Sequence, residues 1–169
     1  MMQPTYYLGI LHRIIPTAIG DPGERTFLLH LEGIRGTARL WLEKEQLLEL
    51  AQASQHMYEL FNATSSVETQ TPSGSVKEED QLDFECRIGK FSLHHEPEQD
   101  LFIIEANEIS DETQSRKAIE FLVSVSQLGD LSSQAFRICA AGRTYCDLCG
   151  LAMDPDFHMC PQPTWVDDY

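Results

Sequence analysis

The stretch Thr26-Phe27-Leu28-Leu29-His30-Leu31-Glu32-Gly33-Ile34-Arg35-Gly36-Thr37-Ala38-Arg39-Leu40-Trp41-Leu42, followed by Glu43-Lys44-Glu45-Gln46, decides the fold. Phe27, Leu29 and Leu31 recur at every second position, and so do Ala38, Leu40 and Leu42. A period of two puts each set on one face of a half-buried strand. Gly33-Ile34-Arg35-Gly36 between the two runs predicts a hairpin turn. At Glu43 the period changes. Leu47, Leu50, Ala51, Met57, Tyr58 and Phe61 recur at steps of three and four, which predicts an amphipathic helix over 44–61. Glu43 and Glu45 stand where the positive end of its dipole favours carboxylates.

On the N-terminal side, residues 6–19 carry Tyr6, Tyr7, Leu8, Ile10, Leu11, Ile14 and Ile15. They predict one or two strands, with Pro16 at an edge or bulge. Gly20-Asp21-Pro22-Gly23 is a turn, because Pro presets φ and Gly accepts positive φ. On the C-terminal side, residues 62–80 lose all periodicity and read as a mobile polar linker.

Phe84, Cys86 and Ile88 then share a face, and the phase slips to Phe91 and Leu93, as a bulge at Gly89–Lys90 would cause. His94–Asp100 reads as a turn, Leu101–Ala106 as a strand and 107–117 as a polar excursion. Ile119, Phe121, Val123 and Val125 alternate like a strand. A last helix is expected from about Leu131 to Ala141, with Gly142 as its cap. Strands followed by a helix thus occur twice, which suggests a duplication, although no residue-level match is evident. The expected fold class is α+β, a mostly antiparallel sheet covered by two helices. It spans residues 1–142 and carries a tail over 143–169.

That tail holds the densest chemistry. Cys146-x-x-Cys149 is the spacing at which one tight turn aims two sulfurs at one ion, and His158 and Cys160 follow beyond the Asp154-Pro155 turn. Three thiolates and an imidazole fill the four positions of a structural zinc ion, so Cys146, Cys149, His158 and Cys160 are the expected ligands. A closed site leaves no place for a catalytic water, and the CxxC follows a helix end instead of opening a helix, unlike a redox pair. A tail too short for its own core gains order from such a staple.

Bulk properties narrow the function classes. The 169 residues carry a formal charge of −15, and the tail from 143 onward has one Arg against five Asp. An acidic surface repels phosphate backbones, so a nucleic-acid-binding knuckle is disfavoured and a partner with a basic surface is favoured. No apolar run is long enough for a membrane helix. The first residues lack a secretion signal, and crowded cysteines fit a reducing compartment, so a cytoplasmic setting is expected. Cys86 and Cys139 read as small buried hydrophobes.

Glu24 and Arg25, with Glu43 and Glu45 at the helix start, could converge into a polar pocket; the plainer reading is a solvated hairpin and a helix terminus. His94-His95-Glu96 likewise reads as a polar hairpin tip before it reads as a second metal site. No phosphate loop, nucleophile elbow or His-Glu-x-x-His motif is present.

Four segments occur in order: Asp21-Pro22-Gly23-Glu24-Arg25-Thr26-Phe27, Glu43-Lys44-Glu45-Gln46, Ala140-Ala141-Gly142-Arg143, and Cys146-x-x-Cys149-Gly150-x-x-Met153-Asp154-Pro155-x-x-His158-x-Cys160-Pro161. Together they resemble the uncharacterised bacterial family catalogued as domain of unknown function 3090. The resemblance implies that the Pro-Gly-Glu-Arg-Thr-Phe turn and the zinc-type tail belong to one unit; it implies no activity. Asp156-Phe157 and the ending Gln162-Pro163-Thr164-Trp165 depart from the family's usual residues. The expected function is a non-catalytic zinc-binding protein acting through protein partners. The alternative is an enzyme that uses the Glu24, Arg25, Glu43 and Glu45 pocket and a purely structural zinc.

Overall fold

A computed structural model of the protein describes residues 5–21, 24–62, 81–109 and 117–140. Among the described residues six strands and two helices follow one another as β1 (Thr5–Ile19), β2 (Thr26–Gly33), β3 (Gly36–Leu42), α1 (Lys44–Phe61), β4 (Leu82–Glu96), β5 (Leu101–Glu108), β6 (Ala118–Val123) and α2 (Val125–Ala140). The expected strands-then-helix order, repeated, is what the chain forms. The sheet is mostly antiparallel. It also closes: β1 to β6 run round in sequence order and β6 pairs back to β1 as a barrel.

The two 15-residue strands make closure possible. Residues 5–10 of β1 run parallel to β6, while 11–19 run antiparallel to β2. β4 repeats the arrangement, parallel to β3 over 82–87 and antiparallel to β5 over 88–96. Each strand changes partner at a bulge, where an unpaired residue bends the strand. The register places His12 in one bulge and Gly89 in the other, the latter where the phase slip in the sequence predicts it. Pro16 falls in the half of β1 that pairs only with β2, so its missing N–H costs no bond to a second strand.

Gly36 starts β3 with φ 145, and a Cβ there would lie 2.0 Å from the Leu82 carbonyl oxygen. Only a glycine lets β4 approach this closely. The same turn sends the Leu82 N–H to the Arg35 carbonyl at 2.8 Å and so docks the start of β4.

The two halves match in register. Phe27 faces Leu42 as Phe102 faces Val123, and Leu31 faces Ala38 as Ala106 faces Ile119. Ile14 faces Leu31 as Phe91 faces Ala106. The Ile34 N–H reaches the Ile10 carbonyl at 3.1 Å, and the Ile109 N–H reaches that of Arg87 at 2.8 Å. The helices match as well: Leu47, Leu50, Ala51 and Ser54 are buried in α1, and Leu128, Leu131, Ser132 and Ala135 in α2. A residue-level repeat is therefore present, Gln-Leu-x-x-Leu-(Ala/Ser)-x-x-(Ser/Ala), from Gln46 and again from Gln127.

Each of these glutamines ties its helix to the opposite half. The Gln46 side chain accepts the Glu43 N–H at 2.8 Å and donates to the Gly89 carbonyl at 2.9 Å. The Gln127 side chain accepts the Ser124 N–H at 2.9 Å and donates to the Leu11 carbonyl at 2.9 Å. Ser124 Oγ accepts the Gln127 N–H at 3.2 Å, which completes a capping box. Two local expectations change here. α2 begins at Val125, earlier than the predicted Leu131, and β6 ends at Val123, because the Ser124 cap redirects a chain whose alternation suggested more strand. β4 runs on to Glu96, which shortens the expected turn.

The barrel interior is apolar. Leu8, Leu29, Leu31, Leu40, Ile104 and Phe121 are fully buried, each worth about 1.5–3 kcal/mol in transfer from water. The helices pack on each other and on β1 and β4. Gly129 permits their contact, since a Cβ on it would sit 2.7 Å from the Tyr58 ring. The expected domain boundary at 142 and the polar linker fall outside the described residues, as does the Gly142 cap.

Candidate functional site

Cys146, Cys149, His158 and Cys160 lie outside the described residues. Among the described residues no group of three or more His, Cys, Asp or Glu side chains could hold a metal ion. Cys139 is buried, as expected of a small apolar side chain, whereas Cys86 is only half-buried.

The second expected site is placed at one end of the β2–β3 hairpin. Phe27 faces Leu42, so Arg25 before β2 and Glu43 after β3 leave the sheet at the same end. Glu24 and Glu45 are exposed and Arg25 is half-buried. The Glu43 carboxylate is 2.7 Å from an Arg87 guanidinium nitrogen, at the head of α1. The pair links the start of α1 to β4. Arg87 went unnoticed in the sequence because it becomes a neighbour of Glu43 only through the parallel pairing of β3 with β4.

His95, one of the three residues of the other metal candidate, packs against two aromatic rings. Its centroid lies 4.3 Å from that of Phe61 and 5.0 Å from that of Phe102, and Nε2 is 3.2 Å from Asp100 Oδ1. This is hairpin-tip packing against the end of α1.

A cleft of about 240 Å³ opens at the barrel end where β1, β4 and β6 begin and β5 ends. Tyr6 and Phe84 meet there with ring centroids 5.3 Å apart. They are equivalent in the two halves, since Tyr6 faces Ile119 and Phe84 faces Ala38, so the contact spans the axis relating the repeats. Lys117 holds its ammonium 5.9 Å from the centre of the Tyr6 ring. Glu108 and Cys86 complete the wall. Burial, reinforced by the negative charge of Glu108, pushes the Cys86 thiol up to about 11. It therefore stays protonated at neutral pH, the opposite of what a nucleophilic cysteine requires.

The outer face of the β3–β4 seam is a ladder of paired charges. Arg39 lies 3.4 Å from Glu85 and 3.9 Å from Asp83, and the Trp41 indole N–H donates to Glu85. Exposed pairs of this kind contribute at most about 1 kcal/mol each, so the ladder reads as a solvated, self-satisfied surface.

A βββα unit, used twice and closed into one barrel, with a cysteine- and histidine-bearing sequence beyond it, defines the class of protein. The chain belongs to the family described as protein of unknown function (DUF3090), which it matches over residues 6–160. No protein of curated function matches the chain. The family match begins at Tyr6, in the barrel-mouth cleft, and ends on Cys160, the last of the expected zinc ligands.

Proposed function

We propose that this is a non-catalytic zinc-binding protein of the cytoplasm, a barrel whose tail is stapled by a structural zinc ion and which acts by binding another protein. The observation that carries it is the ligand set Cys146, Cys149, His158 and Cys160, two closely spaced pairs within fifteen residues, all inside the family match. Three thiolates and an imidazole suit zinc and leave no open coordination position. Support for a binding role comes from the rest of the chain. The one cleft-lining thiol described is protonated at neutral pH, and Glu43 is occupied by Arg87. No helix of the described residues is long and apolar enough to cross a membrane. The charge of −15 favours a basic partner over nucleic acid.

Elemental analysis of the purified protein tests the zinc. About one zinc per chain is expected, falling to none in a Cys146→Ser, Cys149→Ser double variant. A metal-free protein with an unchanged melting temperature would end the zinc reading. Salt-sensitive retention on single-stranded or duplex DNA would end the preference for a protein partner.

A further inference from the structure

We propose that the barrel-mouth cleft between Tyr6, Phe84 and Glu108 receives one lysine or arginine side chain of a basic protein partner, a partner class carried over from the function proposed above. Size sets the first limit. At about 240 Å³ the cleft falls below the roughly 300–1,000 Å³ of pockets that enclose cofactors or drug-sized ligands, and suits a single long side chain. Chemistry sets the second. Tyr6 and Phe84 give an aromatic floor along which an aliphatic stem can lie with its charged head kept wet.

The floor already attracts a cation. Lys117 reaches from the start of β6 to the Tyr6 ring, an arrangement stabilised by the ring quadrupole. Lys117 is exposed at the rim, so an incoming basic side chain can displace it. The half-buried Glu108 lines the same cleft, close enough for its charge to act on the Cys86 thiol, and has no ion pair among the described residues. Asp83 and Glu85 also border the cleft, but Arg39 engages both on the outer face, which leaves Glu108 as the counter-charge for a ligand. The protein's net charge of −15 adds long-range attraction that raises the encounter rate with a basic surface.

The probe is an end-capped octapeptide of alternating Lys and Gly, titrated into the full-length zinc-loaded protein by calorimetry, with a Glu-Gly octapeptide as the charge-reversed control. Binding of the Lys peptide alone is expected. Glu108→Gln should weaken it about tenfold, the scale of one charge-assisted hydrogen bond. Lys117→Ala should tighten it, because the competing ammonium is gone. Glu49→Gln, on the exposed face of α1, should leave it unchanged. Iodoacetamide labelling of Cys86, mapped by mass spectrometry, should slow when the peptide is present, a readout that nonspecific attraction to an acidic protein would not move.

Equal losses in Glu108→Gln and Glu49→Gln, or unprotected Cys86, would overturn the cleft assignment. A partner protein that binds Glu108→Gln as tightly as the native chain would remove the cleft while leaving the interaction role standing. Failure of the peptide to bind, with no protein partner at any site, would remove both.

Discussion

Replacing Gln127 by Glu separates two roles that one side chain performs. Its amide oxygen accepts the Ser124 N–H at 2.9 Å and its amide nitrogen donates to the Leu11 carbonyl at 2.9 Å. Glu serves the first role as well as Gln does, so a side chain that only capped α2 would tolerate the change. The second role needs a donor. Glu removes it and puts an anion against a part-buried carbonyl oxygen beside the β1 bulge. Removing the donor leaves the carbonyl without this partner, at a cost of about 1–3 kcal/mol. A carboxylate in the first helical turn returns about 0.3–1 kcal/mol. The balance is a destabilisation of about 1–2 kcal/mol. Urea denaturation followed by circular dichroism, at fixed zinc concentration and pH 7, measures it through the midpoint at unchanged slope. A Glu variant as stable as the native chain would show that Gln127 caps a helix and does not hold the two halves together.

Other perturbations test the core, the helix contact and the cleft. Phe121→Ala empties a fully buried site in the barrel and should cost about 3–5 kcal/mol in the same assay. Gly129→Ala should destabilise the protein, since the added methyl meets the Tyr58 ring at 2.7 Å. In a Tyr58→Ala background the sign should reverse, because only the helix preference of Ala over Gly, about 1 kcal/mol, then remains. The Cys86 thiol in the folded chain loses its proton at about 11, against about 8.5 for an ordinary thiol. Its alkylation rate should keep rising with pH past 9, where an ordinary thiol levels off. The unfolded chain releases this proton first, so folding stability should fall as pH rises from about 8.5 through about 11, and Cys86→Ala should reduce that fall.

Local periodicity carried much of the architecture. The hairpin β2–β3 and helix α1 could be read from the alternation through Leu42 and the change of step after Glu43, because each is specified by which side chains face the core. The Gly89 bulge was legible for the same reason, since an inserted residue shifts the phase of a two-residue pattern. The start of α2 was missed although Ser124-x-x-Gln127 carried a capping signature, because Val123 and Val125 continued a strand-like alternation through it.

Local pattern alone established the α+β class, the order of its elements and a tail carrying a Cys-x-x-Cys and a His-x-Cys pair, since these depend on neighbours a few residues apart. Tertiary structure decided that the sheet closes, with β6 parallel to β1 more than a hundred residues away, and that Tyr6 meets Phe84 across the repeat axis. Parallel pairing leaves no turn between its strands to announce it. The repeat itself was hidden because burial in a tight helix contact constrains size more than identity, so Ala51 and Ser54 in one helix correspond to Ser132 and Ala135 in the other.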